Sequence, residues 1–243
     1  MNTDASKSGW GCAVNNLTTG GLWTSAEASQ HINYLEMLAV LLSLKAYKEI
    51  FSGKHVKVMV FNTTAQTTIN NMGTSHSPQL NSLAKSIWDL CMSRQIWLTV
   101  ARIPCPENIE ADRESRTSRR CTEWCLNRNI FLKACKKLKF SPNIDLFASR
   151  INYQVKPFVS YRADPEALAI NAFHLSWQNY KFYVVLVLCH LSGNASRAEV
   201  FLQELQRSSK HLGEQVLESN IQPTYNGGDY TAVKGILIPF SHL

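Results

Sequence analysis

Three carboxylates in this chain sit in separately recognisable contexts: Asp4 in TDASKSGWGCAV, Glu36 in HINYLEMLAVLLSLKAY and Asp112 in PENIEADRESR. A fourth context, VKVMVFNTTAQTTIN, carries Asn62 where an acid would complete the set. Acids drawn from distant segments are how proteins hold pairs of Mg²⁺ ions for phosphodiester chemistry, so an amide among them bears on whether that chemistry runs. Each acid also has a plain structural use. Asp4 suits a turn before Ser6 and Gly9. Glu36 follows Asn33 at capping-box spacing, and Asp112 precedes RESR as a cap or first-turn acid.

The elements that must position these residues follow from periodicity. GWGCAV, the polar turn NNLTTGG and LWTS read as a hairpin over residues 9–25. Leu35, Leu38, Ala39, Leu42 and Ala46 recur at helical spacing, with Asn33 as the expected cap and Gly53 closing the segment. HVKVMVF alternates into a strand whose end delivers residue 62, and TTAQTTINNMG then forms a short helix that stops at Gly73. Leu80, Leu83, Ala84, Ile87, Leu90 and Cys91 share one face of a helix from Pro78 to Arg94. IWLTVARI is the next strand, ended by Pro104 and Pro106. This order calls for an α/β sheet rather than a sandwich or a bundle.

The charge is unevenly placed. Residues 1–112 hold eight basic and eight acidic groups, residues 140–243 again eight and eight, and residues 113–139 hold nine Arg and Lys against two Glu. The whole net charge of +7 therefore sits in one block that begins directly after Asp112. It offers a handle for a polyanion, to which Trp124 and Phe131 could add stacking or packing; the plainer reading is a solvated basic helix face. A membrane surface fits less well, because the block lacks a clean apolar stripe. Seven cysteines at irregular spacing, with no secretory signal ahead of them, point to reduced thiols in cytoplasm or nucleus. The pair in CTEWC has no second pair at zinc-ribbon spacing. FYVVLVLC at 182–189 is too short to cross a bilayer and reads as a buried strand or helix segment. After Phe140 the texture changes to loops with scattered aromatics, so the expected organisation is residues 1–139 as one domain and 140–243 as an extension. The extension should hold a helix over ASRAEVFLQELQRSSKHLG and an apolar stretch VKGILIPF.

Taken in order, TDAS with GWG, the INYLE helix start, the NTTA turn after a strand and NIEADRESR resemble the ribonuclease H region of retrotransposon polyproteins. NIDLFASRINYQ, DPEA and NAFHLSW are similar to the segment that follows it in tyrosine-recombinase elements of the DIRS group, so the resemblance spans roughly residues 2–182. It implies a ribonuclease H-like mixed sheet flanked by helices, with a loop-rich C-terminal extension. It also implies cleavage of the RNA strand of an RNA:DNA hybrid by two Mg²⁺ ions held by four carboxylates, with Mn²⁺ as a substitute. Asp4, Glu36 and Asp112 map onto three ligand positions and the fourth is Asn62, a degenerate position. An amide keeps the size of Asp and one carbonyl oxygen but loses the charge, so metal binding weakens and cleavage is expected to be impaired or absent. Asn also caps helices well, so the fold tolerates it.

Candidate phosphate contacts are Arg113, Arg116, Arg119, Arg120, Lys133, Lys136 and Lys137. The first strand has only Met1, Asn2 and Thr3 before Asp4 and reads as clipped, as in a piece of a polyprotein with a reverse transcriptase upstream. None of His31, His55, His76, His174, His190 or His211 sits in a matching motif. Two other readings stand beside the nuclease: a non-catalytic module gripping hybrid or single strands through residues 113–139, and a protein-interaction relic whose acids are caps.

Overall fold

The computed structural model describes residues 1–104, 107–117, 125–176, 180–183, 217–221 and 233–237. Its contacts divide the chain into two compact units, Met1–Arg119 with Arg162–Ala167, and Arg120–Tyr161 with Leu168–Leu243.

The first unit is built on five strands: β1 (Asn2–Ala5), β2 (Gly9–Val14), β3 (Leu17–Leu22), β4 (His55–Val60) and β5 (Trp97–Arg102). They lie in the order β3-β2-β1-β4-β5. The hairpin partners are antiparallel, with Asp4 opposite Gly11, while β1 runs parallel to β4 and β4 parallel to β5. Parallel neighbours need crossovers, and the amphipathic segments between them supply helices for that purpose. These are α1 (Ser25–Ala28), α2 (Ile32–Ala46), α3 (Lys48–Phe51), α4 (Thr63–Asn70) and α5 (Pro78–Ser93), with α6 (Ile109–Arg116) following β5.

Helix α2 is buried at ten consecutive positions from Leu35 to Leu44, because it packs against the sheet and also against α4 and α5. Its cap differs from the expected Asn33. The imidazole Nδ1 of His31 accepts from the Asn33 N–H at 3.2 Å, which leaves the Asn33 side chain to pair elsewhere. Gly53 closes the helical run after α3 at φ +70°, its N–H donating to the Arg94 carbonyl. Ser77 caps α5, with Pro78 at its first turn.

The two faces of the sheet are finished differently along its width. All six residues of β2 are buried, since α2 covers one side and α6 the other. Strands β4 and β5 alternate, with Val56, Val58, Val60, Leu98 and Val100 inward and His55, Lys57, Trp97 and Thr99 exposed. Gly11 on β2 is where α6 comes closest. A Cβ there would collide with the Ala111 carbonyl oxygen and come within 2.6 Å of the Ser115 nitrogen. Only glycine lets the helix backbone lie that near.

The second unit contains α7 (Arg128–Leu138), short paired strands β6 (Ile144–Asp145) with β9 (Phe182–Tyr183) and β7 (Val159–Ser160) with β8 (Ala169–Ile170), and the antiparallel pair β10 (Leu217–Ile221) with β11 (Val233–Leu237). Ile144, Leu146, Val159, Ala172 and Phe182 form its main cluster. VKGILIPF thus contributes β11 and FYVVLVLC begins with β9, while the rest of FYVVLVLC and the expected helix from Ala195 to Gly213 lie outside the described residues. Among the described residues no helix is long and apolar enough to cross a membrane.

Candidate active site of the first unit

Asp4 stands on central strand β1 rather than in a turn, and it is only 8% exposed. The Ser115 hydroxyl on α6 lies 2.7 Å from Asp4 Oδ2 and 2.9 Å from the Asp112 carbonyl oxygen, so it ties the strand carboxylate to the helix backbone. Burial raises the Asp4 pKa; the Ser115 hydrogen bond opposes that, the Asp112 carboxylate reinforces it, and Arg116 opposes it.

Glu36 lies one turn into α2, 4% exposed, with Oε2 buried and no hydrogen-bond partner among the described residues. Its carboxyl is pushed up to about 8, first by burial and then by the charge on Asp4. The capping-box role expected from the Asn33 spacing is not made, because His31 caps the helix and Glu36 points into the protein.

Asn62 follows the end of β4 by two residues and caps α4. Its Oδ1 accepts from the Ala65 N–H at 2.9 Å and its Nδ2 donates to Asn33 Oδ1 at 2.9 Å. The side chain is thereby bound both to its own helix and to the first turn of α2. Asp112 lies in the first turn of α6, where a negative charge suits the helix dipole. Its Oδ1 pairs with Arg116 Nε at 2.6 Å, an i,i+4 bridge on a side that is two-thirds exposed at the arginine.

Asp4, Glu36 and Asp112 thus come from three elements into one electrostatic neighbourhood, while Asn62 is tied through Asn33 to the first turn of α2. Sequence reasoning missed Ser115 and Asn33 as working parts. Ser115 could have been found, since it sits three residues after Asp112 and so on the same helix face.

The donor set fits a hard cation only in part. Asp4 and Glu36 offer oxygen ligands, one of them an orphaned buried oxygen whose burial a cation would offset. Asp112 already shares its charge with Arg116, and Asn62 is neutral with both polar atoms engaged. Among the described residues, no group of three or more His, Cys, Asp or Glu side chains is placed to hold a metal ion.

An open cleft of about 570 Å³ beside Asp112 is lined by Ile109, Asp112, Arg113, Arg116 and Thr117. Arg113 and Arg116 are therefore the candidate cations next to the acids. Arg119, Arg120 and Trp124 lie outside the described residues. Lys133, Lys136 and Lys137 are exposed on α7, which belongs to the second unit, so the basic block of the sequence is divided between two units. Phe131 is 3% exposed and meets the Tyr183 ring edge-on at 4.9 Å between centroids, which makes it a packing residue and removes it as a stacking platform.

No protein-family model and no curated protein sequence matches this chain. Among solved structures it is similar to the ribonuclease H1 of the halophilic archaeon Halobacterium salinarum at 15% identity, and to the N-terminal ribonuclease H domain of a Mycobacterium tuberculosis protein at 14%. Each likeness covers 46% of this chain and 89% of the other, with a TM-score of 0.33. At those values neither adds weight to what strand order and pairing define by themselves. The first unit is a mixed five-stranded α/β sheet flanked by helices, which is the architecture that the resemblance to ribonuclease H implies.

Proposed function

We propose that this chain is a ribonuclease H-like domain of retroelement descent that binds RNA:DNA hybrid, and whose two-metal hydrolysis of the RNA strand is disabled at Asn62. The observation that carries this reading is the double engagement of the Asn62 amide, with Oδ1 on the Ala65 N–H and Nδ2 on Asn33. A residue so committed serves the fold as a cap and supplies no charge to a site whose other members are acids.

Mg²⁺ pairs in such sites activate a water and steady the leaving oxygen. In this chain Asp4 and Glu36 would hold a single ion weakly. Asp112 would have to release Arg116 before contributing, and Ser115 keeps Asp4 aimed. Arg113 and Arg116 would meet phosphates, and recognition would rest on minor-groove shape and 2′-hydroxyls rather than base sequence. Loss of one anionic ligand costs transition-state stabilisation, and each ~1.4 kcal/mol is a tenfold loss in rate. The retroelement origin and an upstream reverse transcriptase as partner rest on the order of motifs from TDAS to NAFHLSW.

The test is cleavage of a labelled RNA:DNA hybrid in Mg²⁺ and in Mn²⁺ by the chain and by Asn62→Asp, with Asp4→Ala added to the latter as a control. Asp caps a helix as well as Asn does, so the substitution restores charge without removing the cap. Cleavage appearing with Asn62→Asp and vanishing with Asp4→Ala is expected. Efficient cleavage by the unaltered chain would overturn the claim of impairment, and failure to bind hybrid at low salt would overturn the claim of binding.

A further inference from the structure

The outward face of β4 and β5 has no part in the acid site. Its register places His55 opposite Trp97, Lys57 opposite Thr99 and Met59 opposite Ala101. Trp97 is 74% exposed and Phe61, just past the end of β4, is 43% exposed. The Arg102 guanidinium lies over the Phe61 ring, 5.8 Å from its centroid. His55 Nε2 is hydrogen-bonded to Thr99 Oγ1, which fixes the imidazole against the sheet. None of the outward register positions 55, 57, 59, 97, 99 and 101 carries an acid, and Lys54 beside them is exposed. The acid near the Trp97 end, Glu49, is paired with Arg94.

A strip with an exposed aromatic ring at each end, Lys57 between them and Arg102 against the Phe61 ring has two classes of partner to consider. A protein partner would bury the middle of the strip, and interface cores are depleted of charged residues, Lys above all. Here Lys57 occupies that middle. Unpaired bases instead stack on aromatic faces while their phosphates follow lysine and arginine, and this needs no dry centre. The positions of Phe61 and Trp97 are six residues apart along the strand direction, about 20 Å at the usual rise, so the strip is long enough for a stretch of single strand rather than one nucleotide.

We propose that the open β4–β5 face is a binding platform for single-stranded nucleic acid, with Trp97 and Phe61 stacking bases and Lys57 and Arg102 meeting phosphates. It is independent of hydrolysis at Asp4 and Glu36 and requires no metal.

The experiment is fluorescence anisotropy of a labelled oligothymidylate single strand titrated with the full chain, without divalent ions, over a series of salt concentrations. Trp97→Ala is expected to weaken binding roughly fivefold to 150-fold, the range of one lost base stack. Trp97→Phe should keep most of the affinity, and Lys57→Ala should reduce the salt slope by about 0.7. Urea unfolding of each variant separates loss of platform from loss of fold, and Trp97→Phe with Lys57→Ala still decides the matter if Trp97→Ala unfolds. No binding by the unaltered chain would overturn the proposal. So would affinity that survives Trp97→Ala and Phe61→Ala but falls with Arg113→Ala, which would assign single strands to the cleft beside Asp112. A dimer in sedimentation that Trp97→Ala dissolves, without oligonucleotide binding, would assign the face to self-association instead.

Discussion

Asp4 and Glu36 on one side, and Asn62 and Asp112 on the other, are finished in opposite ways. Asp4 and Glu36 are buried, their pKa values raised, with one oxygen of Glu36 lacking any partner among the described residues. Asn62 and Asp112 are partly exposed and already engaged, one as a helix cap and one in an ion pair. A buried acid without a partner costs stability and persists where something else uses it, whereas a residue whose polar atoms are satisfied within the protein has become part of the scaffold. The inner pair, Asp4 and Glu36, is buried with raised pKa values, and the outer pair, Asn62 and Asp112, is satisfied at helix termini.

Substitution at Glu36 should expose this contrast most strongly. An acid whose folded pKa is raised stabilises the fold only in its protonated form. Its contribution is therefore highest below the unfolded value of 4.5 and falls as pH rises towards about 8, where it levels off. The full shift corresponds to about 5 kcal/mol. In metal-free buffer, urea unfolding of the unaltered chain should lose stability across that window, and Glu36→Gln should flatten the curve. A slope unchanged by Glu36→Gln would break the comparison.

Gly11→Ala acts where α6 is seated, and so on the joint that brings Asp112 and Ser115 to Asp4. A methyl group there overpacks the helix backbone, and a loss of about 1–3 kcal/mol in chemical denaturation is expected. Ser115→Ala removes a hydroxyl from a buried carboxylate and should cost about 1–2 kcal/mol, while carbon-detected titration shows the Asp4 pKa moving further up. Arg116→Ala should change stability by about 1 kcal/mol or less, in a manner that disappears in high salt, because the pair is largely solvated. If Arg116→Ala proved costlier than Ser115→Ala, the division into an inner and an outer half would not hold.

Much of this architecture is legible along the chain because its signals are local. The Val-rich alternation of β4, the apolar stripe of α5 and the first hairpin strand GWGCAV fall within a residue or two of their expected bounds, but the second hairpin strand is Leu17–Leu22 rather than LWTS, because the chain turns already at Asn15 and Asn16 and Thr24 caps α1. Asn62 was readable as a cap for the same reason. Asn33 misled, since its spacing to Glu36 imitates a capping box while His31, two residues earlier, caps α2 with a ring nitrogen. The orphaned oxygen of Glu36, the seat of α6 over Gly11 and the Ser115 to Asp4 contact depend on partners far apart in the chain, and no local pattern encodes them. The open β4–β5 face was half visible, as exposed positions of two alternating strands, but its openness depends on where α6 stops across the sheet.

Residues Arg162–Ala167 group with the first unit although residues 120–161 intervene in the chain. Arg162 reaches Glu114 on α6 at 3.2 Å, and the Thr19 hydroxyl on β3 donates to the Ala163 carbonyl oxygen at 2.6 Å. During synthesis, the sheet and α6 emerge well before the segment that ties β3 to the helix. The nascent unit must therefore wait, without the bridge from Arg162 to Glu114, until the ribosome has passed residue 163 and the ends of the intervening segment 120–161 have come together. A stop codon placed between α6 and Arg162 would release a first unit that is complete in its strands yet lacks its final tie.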